Sequence, residues 1–184
     1  MTNALLSFSH VGIFVKDIEP MAEFYQKVLG LVVTDRGDLP GRTLVFMSGD
    51  AREHHQVVLA TGRTGDLNDK VVNQISFRVE TLEELQAHYR RISKVGGASD
   101  FRAVNHGNAW TLYFRDPELN RIEIFTDAPW YIAQPCAEPL DLDKSAEEIR
   151  AETRKLCEDD PTFVPIEVWR ERIAKKIADA RALN

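Results

Sequence analysis

Apolar positions change rhythm early in this chain. SHVGIFV, residues 9–15, is rich in residues that suit a pleated surface and predicts a strand. Ile18, Met21, Phe24, Tyr25 and Val28 then recur at helical spacing, with Asp17 placed for an N-cap and Gly30 for a C-terminal stop. LVVTDR (31–36), TLVFMSG (43–49) and HHQVVLATG (54–62) predict three further strands. The sequence then repeats itself. NQISFRV (73–79) is strand-like, Leu82, Leu85, Tyr89 and Ile92 are spaced as a helix, and Thr81 and Gly96 stand where a cap and a stop are wanted. WTLYFRD (110–116) and NRIEIFTD (120–127) close this second half.

An offset of 64 residues, from His10 to Gln74, superposes the two halves. Val15 then meets Val79, Ile18 meets Leu82, Glu19 meets Glu83, Met21 meets Leu85, Tyr25 meets Tyr89 and Val28 meets Ile92. TLVF (43–46) echoes TLYF (111–114), and Val57-Val58-Leu59 lies over Ile122-Glu123-Ile124. A duplicated β-α-β-β-β unit accounts for matches that keep their order across helix and strands. The expected fold is α+β. Module one spans 5–62 and module two 70–127, within a domain of residues 1–130. From 131 to 184 an irregular, Pro-punctuated linker leads into a helical tail. Ser145 and Glu148 have capping-box spacing for one short helix. Pro165 suits the first turn of another, with Ile166, Trp169, Ile173 and Ile177 as its apolar stripe. Such a tail predicts packing on the core or on a sister subunit, hence a homo-oligomer.

Composition narrows the function classes. The 184 residues carry a net charge of −6 with a pI near 5.4, which argues against a nucleic-acid surface. No apolar run approaches a membrane span, and MTNALLSFSH lacks the basic and apolar regions of a secretion signal. Cys136 and Cys157 lack CxxC spacing and fit a reduced, cytoplasmic setting.

FSHVGIFVKDIEPMAEFYQKVLGL, followed by the repeated unit, resembles the vicinal oxygen chelate superfamily of glyoxalases, bleomycin-resistance proteins and type I extradiol dioxygenases. The resemblance implies two modules curling a mixed sheet around a metal pocket. NHGNAWTLYFRDPELNRIE (105–123) resembles the extradiol signature through His106, Leu112, Tyr113, Asp116, Pro117 and Glu123. Leu119 departs from it, standing where that pattern prefers Gly or Pro; Asn120 is expected to supply the backbone freedom. The pair His54-His55 is similar to the paired histidines of extradiol enzymes.

By that resemblance His10 and Glu123 are metal ligands, His55 is the acid–base residue, and His106 and Tyr113 hydrogen-bond the substrate or oxygen intermediate. The implied partners are a catechol-like aromatic diol and O₂. His54 and Trp110 are candidate substrate contacts. Two imidazoles and a carboxylate would leave open positions on Fe(II). The third ligand position holds Gln74 where a His is expected. An amide oxygen is hard and neutral and shifts preference towards Mn(II) or another divalent ion, or Gln74 merely hydrogen-bonds in a dry pocket. Val58 occupies the place of a fourth, glyoxalase-type ligand and cannot bind metal. An isomerase or lyase that stabilises an enolate and a non-enzymatic aromatic-ligand-binding protein are the alternatives.

Each residue also has a structural reading. His10 could be a satisfied interior histidine, His54 and His55 loop residues, and Trp110, Trp130 and Tyr113 core aromatics. Glu123, flanked by Ile122, Ile124 and Phe125, requires a cation or donors, with Arg102 or Arg115 as candidates.

Overall fold

A computed structural model describes residues 8–68 and 72–182, with side chains through Asp179. Residues 5–7 and 70–71 of the expected modules, and 183–184 of the tail, lie outside the described residues. The chain divides into two compact units. The first is built on the chain up to Asn73 with Gly97–Ser99 and Arg115–Asn120; the second comprises Gln74–Gly96, Asp100–Phe114 and the chain from Arg121 onward.

The first unit runs β1 (Val11–Val15), α1 (Ile18–Leu29), β2 (Val32–Leu39), β3 (Arg42–Ser48) and β4 (Val57–Thr61). Its sheet has the order β1-β4-β3-β2, with β1 parallel to β4. Helix α1 buries Met21, Phe24, Tyr25 and Val28, and Val45, Met47, Val57 and Leu59 are buried from the strands. Gly30 ends the helix in the left-handed conformation, φ 72°, which glycine adopts without a Cβ clash. Asp17 is extended but makes no side-chain cap. The carboxylate of Glu118 instead holds the chain just ahead of the helix, accepting the N–H groups of Lys16 at 2.6 Å and Asp17 at 2.9 Å. All eight residues of β2 are exposed.

The second unit repeats the plan: β5 (Ile75–Arg78), α2 (Leu82–Ile92), β6 (Ser99–Asn105), β7 (Ala109–Arg115) and β8 (Arg121–Asp127). Strand order β6-β7-β8-β5, with β5 parallel to β8, has the same topology as the first sheet. The ladders also agree with the sequence superposition. Val11 pairs with Val57 in the first unit, and Ile75 pairs with Ile122 in the second. Thr81 and Glu84 form a reciprocal capping box at the start of α2. The expected stop at Gly96 is misplaced: α2 ends at Ile92 with Ser93 as its cap, and it is Gly97 that takes the positive φ, 93°. There a Cβ would stand 3.2 Å from Phe24.

The remaining chain adds β9 (Trp130–Tyr131), β10 (Glu138–Pro139), α3 (Ala146–Cys157), β11 (Val164–Pro165) and α4 (Ile166–Ala182). The Ser145–Glu148 capping box forms as expected. Pro165 does not lie inside the helix; it pairs in β11 with Trp130, and Ile166 is the first helical residue. The stretch expected to be irregular contains two short strands, β9 against β11 and β10 at the edge of β6. Among the described residues no helix is long and apolar enough to cross a membrane.

Gly107 is where the second unit packs most tightly. At φ 74° it sits under Ile132 and Cys157, and its carbonyl accepts the Trp130 indole N–H at 2.9 Å. A Cβ would overlap Ile132 Cδ1 and stand 2.8 Å from its Cγ1. Gly107→Ala is expected to cost about 2 kcal/mol through overpacking and the left-handed backbone together, read as a lowered denaturation midpoint.

Candidate functional site

Glu123 lies in the middle of β8, and ladder pairing sets it opposite Ser76 of β5. Gln74 and Ser76, two apart in an extended segment, therefore share the face that meets it. The carboxylate is 7% exposed. Its Oε2 accepts the Gln74 amide N–H at 2.6 Å and the Ser76 hydroxyl in a still shorter hydrogen bond. Neither expected arginine supplies the donors; Arg115 donates to the Leu119 carbonyl at 2.9 Å. Gln74 thus faces Glu123 through its amide nitrogen, while also donating to Ser76 Oγ at 3.2 Å. Ser76 was not expected in the site. Its signal was the alternation of β5, which puts it on the Gln74 face.

Tyr113 of β7 continues the cluster. Burial, then its hydrogen bond to Glu123, hold the phenol well above the ordinary tyrosine range. Its hydroxyl is 3.1 Å from His106 Nε2, while His106 Nδ1 is 2.6 Å from the Cys136 carbonyl. A carbonyl only accepts, so Nδ1 carries a proton. In the neutral ring Nε2 is then an acceptor facing the phenol. Glu123, Tyr113 and His106 form a continuous polar chain in which the single phenol proton has two acceptors to choose between, the Glu123 carboxylate and His106 Nε2. Its far end is set by Cys136, a backbone contact that no sequence motif signals.

Trp110 lies elsewhere in the same unit. It is 2% exposed, and its indole N–H donates to Thr153 Oγ1 at 2.7 Å, so the structure places it in the core. Asn105 Nδ2 donates to the same hydroxyl at 2.9 Å, fixing α3 to the sheet.

The first unit holds its own imidazole cluster. His10, just before β1, is exposed, and its ring centroid is 4.3 Å from that of His55. His54 Nδ1 and His55 Nδ1 are 2.8 Å apart, and His54 Nε2 lies 3.9 Å from Asp35 Oδ2. Burial, then the imidazoles of His10 and His54, lower the His55 pKa from the usual value and favour its neutral form. Phe46 stands 5.2 Å from His55 and 5.8 Å from His54, centroid to centroid. Of the duplicate positions, Gly12 and Val58 pair where the second unit has Ser76 and Glu123, so the first unit keeps an imidazole but no carboxylate there.

The Asp116–Asn120 turn is a structural centre in the first unit. Asp116 is fully buried and accepts from Tyr25 Oη at 3.3 Å, Glu118 N at 3.0 Å, Asn120 N at 2.9 Å and Asn120 Nδ2 at 2.8 Å. The positive φ of this turn belongs to Leu119, at 63°, rather than to Asn120. The side-chain amide of Asn120 is committed to Asp116, and Leu119 bears the strain.

Donor chemistry across these residues is mixed. Within the second unit Glu123 offers an anion and Gln74 an amide, while the first unit offers imidazoles only. Among the described residues, no group of three or more His, Cys, Asp or Glu side chains is placed to hold a metal by itself.

Residues 7–124 match the family model described as Glyoxalase/Bleomycin resistance protein/Dioxygenase superfamily. A trivalent organoarsenical cleaving enzyme of Bacillus sp. (strain MD1) is 24% identical over 124 residues, 65% of this chain and 73% of that protein. A glyoxylase/bleomycin resistance protein/dioxygenase domain from Frankia sp. EAN1pec superposes with a TM-score of 0.57 at 22% identity, covering 68% of this chain and all of that one. The fosfomycin resistance protein FosX of Listeria monocytogenes, as a glutamate-to-glutamine variant with Mn(II) and 1S,2S-dihydroxypropylphosphonic acid, gives a TM-score of 0.52 at 20% identity. That match covers 66% of this chain and 92% of FosX.

Proposed function

From the premise that the chain belongs to the Glyoxalase/Bleomycin resistance protein/Dioxygenase superfamily, we propose that it is a metal-dependent enzyme that cleaves a catechol-like aromatic diol with O₂ in the extradiol manner. The observation that carries this reading is the Glu123–Tyr113–His106 chain. An aromatic ligand-binding protein would have no need of a protonated phenol held between a carboxylate and an imidazole.

Within the second unit, Glu123 and Gln74 are the residues we assign to the cation, Fe(II) or, given the amide, Mn(II). When bound, the cation supplies chelation of two vicinal oxygens and access for O₂. The protein's own groups do the rest. Tyr113 stays protonated and donates to a developing oxyanion. His106, held in one tautomer by the Cys136 carbonyl, presents an unprotonated Nε2 that holds the phenol in place and can take its proton and give it back. The neutral imidazole of His55 is suited to take a diol proton, and His54 orients it. The FosX complex with Mn(II) supports divalent-metal chemistry on this fold. A metal-assisted isomerase or lyase that needs no O₂ is the second reading, favoured by the oxygen-rich donor set that Gln74 gives. We extend the proposal to a homo-oligomer assembled through the far end of α4, whose Ile177 is 44% exposed. Residues 1–130 are taken as the catalytic domain and 131–184 as the tail.

The test is anaerobic Fe(II) or Mn(II) loading followed by a panel of catechols, monitored by oxygen uptake and by the yellow ring-opened product. Uptake of oxygen with product formation supports the dioxygenase. Turnover of a substrate without oxygen uptake would shift the assignment to the isomerase or lyase. Gln74→His offers a separate check. It replaces an amide with an imidazole and is expected to raise iron content and turnover several-fold; elemental analysis showing unchanged or lower iron would remove Gln74 from the ligand set.

A further inference from the structure

We propose that the second unit carries a binding site for a planar organic anion, an aromatic ring bearing a phosphate or carboxylate, in a cleft that the tail completes. The cleft has a volume of about 750 Å³, in the range of small-molecule sites. Its walls come from the end of β5, the start of α2, the end of β8, and residues of α3, β9 and α4. Arg78, Glu80 and Trp110 of that lining lie within the segment that matches the family model, and everything from Ala128 onward lies beyond it, so the extension completes one side of the cleft.

Charge and shape both point to the ligand class. Arg78, Arg150 and Arg170 line the cleft against two acids, Glu80 and Asp127, in a chain whose net charge is −6. Arg78 and Arg170 converge on one atom, Asp127 Oδ2, the former in a short ion pair and the latter at 3.5 Å. Arg170 also lies 3.7 Å from Glu167 Oε1 and Arg150 2.7 Å from Glu83 Oε2, so what the cleft offers a second anion is the remaining N–H donors of guanidiniums that each carry five. The side chain of Arg170 is 56% exposed, within reach of such a ligand. The apolar wall is equally specific. Tyr131 and Trp169 stack with centroids 5.1 Å apart and planes within 19°, a platform on which a ring can lie. Arg78 is already fixed 4.5 Å above the Phe125 ring, so its fork needs little further ordering when the anion arrives.

The experiment is calorimetric titration of the full chain with phenyl phosphate and benzoate, with phenol and inorganic phosphate as controls. Phenyl phosphate is expected to bind measurably and phenol not. Arg170→Ala should weaken binding at least about fivefold, as loss of a charge-assisted contact does. Trp169→Ala should weaken phenyl phosphate more than inorganic phosphate. Asp127→Asn should tighten binding, because it removes the negative charge that Arg78 and Arg170 share. Far-ultraviolet circular dichroism checks that each variant is folded. The proposal is overturned if phenyl phosphate does not bind, if Arg170→Ala leaves its affinity unchanged, or if Asp127→Asn weakens it. A change of oligomer size in Arg170→Ala without anion binding would assign the cleft to a subunit contact, and would also overturn it. None of these readouts depends on the ring-cleaving activity.

Discussion

Glu123→Gln is expected to strip the divalent ion and reduce turnover by about 100-fold or more, since loss even of an outer partner of a metal ligand costs about 10–100-fold. The substitution keeps the side chain's shape and removes its charge. Its amide oxygen can still accept from Gln74 and Ser76, which are neutral donors and carry no charge to be orphaned. Folding should therefore survive: the unfolding free energy is expected to stay within about 1 kcal/mol of the parent, because a buried carboxylate has been exchanged for a buried amide that keeps its partners. Elemental analysis, oxygen uptake and a denaturation midpoint on the same preparation separate the two effects. Full metal content with full turnover would remove Glu123 from the site. A collapsed midpoint would make it a structural acid.

Asp116→Ala should have the opposite profile, a large loss of stability that precedes any effect on chemistry. The carboxylate is fully buried and accepts four hydrogen bonds that tie α1, through Tyr25, to the Asp116–Asn120 turn. Truncation strands the Tyr25 hydroxyl, the Asn120 amide and two backbone N–H groups away from water. The expected cost is about 4 kcal/mol, from several unsatisfied donors of about 1–3 kcal/mol each that partly relax. Urea unfolding would show it as a lower midpoint. Asp116→Asn should recover part of the loss, because its carbonyl oxygen still accepts from Asn120 or Glu118. A midpoint unmoved by Asp116→Ala would mean that water replaces the carboxylate.

Much of the fold was legible because the duplication leaves two kinds of trace. The 64-residue offset aligned Val11 with Ile75, and both residues prove to open a parallel ladder to the last strand of their module. Features set by long-range contact were less legible. Asp17 has the residue type of a cap, but a glutamate from a distant turn binds the helix entrance instead. Strand β6, SDFRAVN, mixes polar and apolar residues without clean alternation, so its position was not marked, although the repeat required a strand there. Gly96 and Gly97 are neighbours, and only packing against Phe24 decides which one turns. Leu119 has no propensity for a positive φ and adopts one because Asn120 is held by Asp116.

At the site, resemblance selected Glu123, Tyr113 and His106, and the second unit brings these three together. It did not reveal that Gln74 offers Glu123 its amide nitrogen. That orientation depends on Ser76 and on strand register, neither of which a ligand pattern contains. Trp110 is buried with its indole N–H on Thr153, and it also stands in the lining of the cleft beside Tyr131 and Trp169, a placement that residue type alone does not give.

The parallel pairing of first and last strands sets the timetable of folding on the ribosome. Ile13 and Val15 find their neighbours only once Leu59 and Thr61 have been synthesised, and Ile75 waits likewise for Ile122. Until then each nascent half presents an apolar strand and an amphipathic helix with no sheet to receive them, the delay that non-local parallel pairing imposes on closure.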